Sequence, residues 1–320
     1  MPREQERQET WHVDGHELTV THLDKVLWPD DGMTKRDVLA YYRTIAPVLL
    51  PYLRNHPVVL RLFPDGITGQ GFYLRNAPES MPAWIRTAHY HPVTEEAERV
   101  VPLIDDAAGL LWFVNRGALE VHVWAAPADR PEFPDWIVFD LDPGPRAGFD
   151  RVIEAALVLR QRLASLGVPA LPKTSGGSGL HLWAPIEPRY HVDMLRTWVA
   201  YLAEELSREY ATLFAPPDGA THDEDERITL DAAQNSVARN TAAPYTLRAR
   251  PGAPVSTPLT WEEVEGGQIR PEQFTWQAVL QRVHDRGDVW QKDWKPGKLP
   301  IDGTIQSARR RARRREHRQT

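Results

Sequence analysis

Eight residues, Trp136–Pro143 (WIVFDLDP), constrain this chain more than any other stretch. Side chains alternate in an extended strand, so Ile137, Phe139 and Leu141 share one face, and Val138, Asp140 and Asp142 share the other. The first face suits a core. The second carries two carboxylates at the end of the strand, just before a Pro143-Gly144-Pro145 turn. At an effective dielectric near 20, two carboxylates ~5 Å apart repel by roughly 3 kcal/mol. A cation between them removes that repulsion, and hard carboxylate oxygens suit Mg²⁺ or Mn²⁺. The alternative is a pair of solvated aspartates at an exposed strand end, which is the commoner meaning of an isolated Asp-x-Asp.

The 320 residues hold enough core for one large α/β unit or two subdomains. With no interdomain linker visible, the expectation is one domain over 1–300 and a basic, disordered tail over 301–320. No apolar run is long enough to span a membrane, and the polar start MPREQERQET lacks the apolar region of a secretory signal. Cysteine is absent, which excludes disulfides and thiolate metal sites and fits a cytoplasmic protein. Net charge is −6, and Arg309–Arg318 holds seven arginines against one glutamate, so the rest of the chain carries −12. A sequence-blind DNA coat would be basic. Binding to nucleic acid would rest here on local basic patches and bound metal, and would be weak and salt-sensitive on unmodified duplex.

Taken in order, His16–His22 alternates as a strand. A turn at Pro29–Gly32 and a Thr34/Asp37 capping box then start a helix running to about Leu50, with Val38, Tyr41, Tyr42, Ile45 and Leu49 inward. Lys25, Lys35, Arg36 and Arg43 make this region locally basic, or simply solvate a helix face. Pro57–Phe63 reads as a buried strand and Gly71–Arg75 as another extended piece, with adjacent aromatics Phe72 and Tyr73. Segment 88–105 reads as an acidic loop. Asp106–Asn115 should be a helix closed by Gly117 as the C′ residue. In Leu119–Trp124, Glu120, His122 and Trp124 share one face of a strand. Phe149–Leu166, stopped by Gly167, and Val192–Tyr210 have helical periodicity. Asp218–Glu226 reads as a mobile acidic loop, and Pro244–Pro251 as a strand with Arg248 and Arg250 on one face. Trp261–Glu265 and Thr275–Arg286 are short helices.

Two further stretches carry chemistry. Ser175-Gly176-Gly177-Ser178-Gly179 joins two strands, the second carrying His181. Such a loop exposes backbone N–H groups that favour phosphates, or it is a hairpin turn that needs positive φ. It is not a Walker A loop, because no Gly-Lys-Ser/Thr opens a helix. In Arg227–Asp231 (RITLD), Thr229 and Asp231 share a face, which puts a third carboxylate at a strand end.

Five elements then appear in one order: HLDKVLWP, ALEVHVW, DWIVFDLDPGP, KTSGGSGLHLW, and ITLDAAQN followed by TAAPYTLRARPGAPVSTPLTWEE. Together they span Leu18–Glu263, and in them the chain resembles the polymerase module of bacterial ligase D, within the archaeo-eukaryotic primase superfamily. The resemblance implies a mixed α/β (α+β) primase-polymerase fold. Antiparallel sheets, one of them an RRM-like catalytic core, would form a cleft with flanking helices. It implies template-directed nucleotidyl transfer from NTP or dNTP, with two divalent ions, Mn²⁺ or Mg²⁺, and a preference for ribonucleotides. Asp140, Asp142 and Asp231 match the metal carboxylates. Ser175 and His181, beside Gly176 and Gly177, match the triphosphate site, and Gln234 and Arg248 match residues near the phosphates and the third carboxylate. His122 matches a residue at the sugar and base. Lys25 matches a contact to the downstream 5′-phosphate of a gap, and Phe72 and Tyr73 an aromatic pair that stacks on the template.

The implied substrate is gapped or broken duplex with a 5′-phosphate. The resemblance implies a Ku-type protein as partner; no Lys-x-Asp-Gly ligase motif occurs in the chain, so either a separate DNA ligase is a further partner or this is a standalone repair polymerase. The sequence departs from the pattern at Ser178, where many relatives have lysine, and in the acidic 88–105 segment. A second basic contact near the 5′-phosphate is not evident, His16 being nearest the expected place. These departures leave open a second function, a 5′-phosphate gap-binding module that recruits a ligase. A primer-independent primase is a third, although related zinc-bearing primases use cysteine-rich modules.

Overall fold

The computed structural model describes residues 8–91, 98–217 and 225–301. They form two compact units. Unit 1 takes the residues up to Asp129, Asn240–Thr257 and Arg270–Asp288; unit 2 takes Arg130–Arg239, Pro258–Ile269 and the residues from Val289 onward. The chain passes between the units at five places, each between adjacent residues, so no linker composition marks the division.

Unit 1 begins with a hairpin of β1 (Glu9–Val13) and β2 (His16–Val20), turning at Asp14-Gly15, both at positive φ. This is the Asp-Gly hairpin turn, and β1 is absent from the sequence reading. Short β3 (Val26–Trp28) and β4 (Met33–Thr34) lead to α1 (Lys35–Leu49). The capping box forms as expected: Thr34 Oγ1 accepts from Asp37 N, and Thr34 N donates to Asp37 Oδ2. Val38, Tyr41, Tyr42, Ile45 and Leu49 are all buried. Then come β5 (Val58–Leu62), β6 (Phe72–Leu74), β7 (Thr87–Tyr90), β8 (Arg99–Pro102), α2 (Ala107–Val114) and β9 (Ala118–Trp124).

The acidic-loop reading of 88–105 gives way to an antiparallel hairpin, with Thr87 opposite Pro102 and Tyr90 opposite Arg99; residues 92–97 lie outside the described set. The glutamates masked the β-branched Thr87, Val100 and Val101 that make the hairpin. α2 is N-capped by Asp106 and C-capped by Asn115, so Gly117 lies one position beyond the expected C′. It has φ +94°, and a Cβ there would come 3.1 Å from Pro64 Cα.

Unit 2 is built on β10 (Trp136–Pro143), α3 (Phe149–Ser165), β11 (Leu171–Thr174), β12 (Leu180–Pro185), α4 (Val192–Glu209) and β13 (Ile228–Asp231). The strands form one antiparallel sheet in the order β11-β12-β10-β13. Ile137, Phe139 and Leu141 are fully buried, and Phe139 meets Trp198 of α4 edge-on. On the opposite face Trp136 and Trp183 stack at 5.2 Å, and Trp290 and Trp294 stack at 5.8 Å beside them. Trp290 Nε1 donates to the carbonyls of Pro172 and Leu259. These tryptophans occupy the end of that face away from the aspartates. Of the expected acidic loop, 218–224 lie outside the described residues. Asp225 is buried and binds Arg227 through both carboxylate oxygens.

Returning to unit 1, β14 (Asn240–Ala242) pairs with β9 and completes a sheet in the order β14-β9-β5-β6. The strand expected at 244–251 does not form. Tyr245 has φ +67°, Thr246 N turns back to Ala243 O, and a single bridge, Leu247 to Val255, remains. Pro244 and Pro251 offer no N–H to a ladder, so the edge strand lies just before them. α5 (Trp261–Glu265) belongs to unit 2 and α6 (Trp276–Arg286) to unit 1. Among the described residues no helix is long and apolar enough to cross a membrane. Apart from Ile301, which is buried, the 301–320 tail lies outside the described residues.

The tryptophan cluster should be a large contributor to the stability of unit 2. Trp290→Ala is expected to cost about 3–5 kcal/mol, read as a lower midpoint in chemical denaturation.

Candidate active site

In unit 2 the register of the sheet lines up the sequence candidates. Asp140 lies opposite His181 on β12 and opposite Asp231 on β13; Lys173 of β11 lies opposite His181. Directly opposed residues project to the same face, so Lys173, His181, Asp140 and Asp231 form one row across four strands. Asp142, two residues on, shares the face and lies opposite Thr229. His181 Nε2 is 3.2 Å from Asp140 Oδ1. Asp231 Oδ1 accepts from Ala233 N at 2.8 Å, which fixes its carboxylate at the strand end. The Asp142 carboxyl is pushed up to about 6, first by loss of hydration and then by the charges of Asp140 and Asp231. The three carboxylates therefore feel one another.

Their donor chemistry and register fit a divalent cation. Among the described residues, however, no three such side chains close into a ready cage. The fit is one of strand positions and charge.

Two neighbours hold the row in place. The sequence did not single out Asn235, yet its side chain accepts from Val138 N (2.9 Å) and donates to Val138 O (2.7 Å). It takes over from β13 on β10 where the ladder ends. Gln234 precedes it in a short 3₁₀ turn and is half-buried. Gly179 is the second. A Cβ there would lie 2.5 Å from Leu141 O, so only glycine lets the Ser/Gly loop approach β10 beside Asp142. Within that loop, Ser175 N donates to Gly179 O, and Ser175 Oγ accepts from Gly177 N (3.1 Å) and Gly179 N (3.2 Å). Two of the amides expected to cradle an anion thus already bind Ser175. Gly176 has positive φ, and Ser178 is exposed.

The remaining candidates belong to unit 1, and two of them, His122 and Arg248, gather around Glu120, another residue the sequence did not single out. His122 Nε2 lies 2.8 Å from Glu120 Oε2, Arg248 Nε donates to Oε2 (3.2 Å), and Arg61 Nη1 (3.3 Å) and Ala249 N (2.9 Å) donate to Oε1. Burial alone would raise the Glu120 carboxyl, but these partners outweigh it and hold it at about 2. Burial pushes His122 down. Tyr73 meets His122 edge-on at 6.0 Å, and the Arg61 and Arg75 guanidiniums sit 5.5 and 5.4 Å from its ring centroid. Phe72 and Tyr73 are 48% and 44% exposed. A charged residue inside the apolar run ALEVHVW was the available signal for Glu120.

Lys25 lines a separate cavity of unit 1, about 240 Å³, with Thr21, His22, Lys35, Asn115 and Arg116. Lys25 Nζ pairs with Asp65 at 2.9 Å. Lys35 is buried and donates to Thr21 O at 2.6 Å; burial first, then the charges of Lys25 and Arg116, push its ammonium down to about 8. His22 sits at φ +55°, a strained backbone position at the rim. Lys35 and Arg116 thus line this cavity beside Lys25. His16 stacks on Trp84 with ring centroids 3.9 Å apart.

Comparison with known proteins decides the family. Residues 34–290 match the model of the LigD primase-polymerase domain. The chain belongs to the LigD primase-polymerase family. It is 32% identical over 286 residues to the multifunctional non-homologous end joining DNA repair protein LigD of Mycobacterium tuberculosis, covering 86% of this chain and 37% of that protein. It is 30% identical over 275 residues to the bifunctional non-homologous end joining protein LigD of Bacillus subtilis, covering 84% and 43%. The chain thus spans well under half the length of these relatives. The polymerase domain of M. tuberculosis ligase D, solved in complex with DNA, superposes with a TM-score of 0.80 at 30% identity, covering 86% of this chain and 97% of that one.

In this LigD primase-polymerase chain, ionising Asp142 opposes folding. The folded protein holds the Asp142 proton up to about 6 and the unfolded chain only to about 3.8, so stability falls as pH rises through that window. Asp142→Asn removes the effect. In chelator, the variant should melt above the native protein at pH 7, and the two should converge near pH 4.

Proposed function

We propose that this chain is a template-directed nucleotidyltransferase that extends a primer across a short gap bearing a downstream 5′-phosphate, in end joining or gap repair, with a preference for ribonucleotides. The observation that carries this is the row of Asp140, Asp231 and His181, with Asp142 on the same face, in a chain of the LigD primase-polymerase family. Asp140, Asp142 and Asp231 would hold two divalent ions, Mn²⁺ or Mg²⁺, which when bound lower the pKa of a primer 3′-hydroxyl and offset charge on the leaving diphosphate. The 3′-oxygen forms a bond to the α-phosphorus, and the bond from that phosphorus to the diphosphate breaks.

The chain's own groups divide the other tasks. His181, 3.2 Å from Asp140, orients that carboxylate and faces the triphosphate with Ser175, Gly176 and Gly177. In the same unit Gln234 meets the phosphates; in unit 1, Arg248 and His122 are the residues that the family pattern assigns to the nucleotide. Arg248 and His122 share Glu120, so a change in one moves the other. The aromatic faces of Phe72 and Tyr73 bind template without reading its sequence. Lys25 and Lys35 receive the 5′-phosphate, a terminal charge that lets an acidic chain choose gaps over plain duplex. A DNA-bound relative supports the nucleic-acid substrate. A Ku-type protein and a ligase are the partners this activity calls for.

A second function has one observation in its favour. The Lys25/Lys35 cavity lies wholly in unit 1 and uses none of the carboxylates, so phosphate binding can stand without polymerisation. Primer extension on a gapped duplex with Mn²⁺, comparing ribo- and deoxynucleotides, separates the two. The native chain should extend the primer, faster with a 5′-phosphate than with a 5′-hydroxyl. Asp140→Ala should lose about a thousandfold or more in rate while still binding the gapped DNA. Phosphate-dependent binding with no extension by the native chain would establish the binding module instead.

A further inference from the structure

The phosphate assignment of the unit 1 cavity rests on Lys25 and Lys35, and a third cation lines the same cavity. Arg116 follows α2, with its guanidinium carbon 3.5 Å from the centroid of the Trp112 ring and Nη1 donating to Trp112 O at 3.3 Å. A guanidinium stacked this way loses little freedom when it takes a ligand, and four of its five N–H donors remain for one. The other two cations are already engaged, Lys25 with Asp65 and Lys35 with Thr21 O.

We propose that Arg116 is the specificity-determining residue of this cavity, the fixed third cation that makes it select a terminal phosphate monoester over the phosphodiester backbone. This builds on the phosphate assignment above. A monoester carries about −1.5 to −2 charges near neutral pH, against a single charge on each backbone diester. Two lysines, one tied to Asp65, can satisfy a single charge; a third cation is matched only by the doubly charged terminus. Burial first, and then the charges of Lys25 and Arg116, hold the Lys35 ammonium down, so the three cations share one cavity. A planar guanidinium also suits two phosphate oxygens at once, a contact that a diester, with fewer free oxygens, meets less well.

The plainer role for Arg116 is structural, closing the end of α2 through the Trp112 carbonyl. The experiment that separates the roles measures binding of the full chain to a gapped duplex with either a 5′-phosphate or a 5′-hydroxyl on the downstream strand, by fluorescence anisotropy over a range of salt. Arg116→Gln should weaken binding to the phosphorylated gap by about ten- to a hundredfold, and leave binding to the hydroxyl gap as it was. The salt slope on the phosphorylated DNA should fall by about one. Arg116→Lys, which keeps the charge and gives up the stacking, should keep the larger part of the preference. Equal losses on both DNAs, or a full preference in Arg116→Gln, would overturn the proposal. A native chain with no preference for phosphate would instead overturn the assignment of the cavity on which it rests.

Discussion

The pairing of β10 with β12 and β13 is the constraint on which the site depends. It places Asp140 between His181 and Asp231 and adds Asp142 on the same face. Like charges at such spacing repel by roughly 3 kcal/mol a pair. The reverse face answers that repulsion: Ile137, Phe139 and Leu141 are fully buried, each contributing about 1.5–3 kcal/mol. One strand thus anchors its core with odd positions and carries charge on even ones. A slip of one residue would put the carboxylates in the core, so fold and site are specified together.

The other groups are fixed by similar local devices. Asn235 continues the ladder where β13 ends, Gly179 lets the Ser/Gly loop rest on β10, and Glu120 gathers His122, Arg61 and Arg248. In each case a polar side chain or a missing one does what regular hydrogen bonding cannot. The buried Glu120 stays ionised because four donors surround it, which also makes it a support for two residues expected at the nucleotide.

Much of this was legible in the sequence because it is local. The alternation of β10, the capping box of α1 and the periodicity of α3 and α4 each lie within one stretch. The three aspartates could be placed on strand faces from their neighbours, but only pairing shows that Asp231 sits opposite Asp140 rather than beside Asp142. Lys35 illustrates the limit. It reads as the first residue of an ordinary helix, yet the path of the chain at Thr21 buries it beside Lys25, fourteen residues from its own carbonyl partner. The misread segments have physical causes too. Glutamates hid the hairpin at 87–102, and the alternation of TLRAR hid a left-handed Tyr245 that turns the chain.

The central claim is that the face shared by Asp140, Asp142 and Asp231 binds divalent ions for nucleotidyl transfer. The most direct test is a Mn²⁺ titration followed by electron paramagnetic resonance, in the presence of a non-reacting nucleoside triphosphate, with the native chain and Asp231→Ala. The account predicts two protein-dependent ions in the native chain and a clear loss in Asp231→Ala, although that residue lies on a different strand from the Asp140/Asp142 pair. Native-like Mn²⁺ binding by the variant would contradict it.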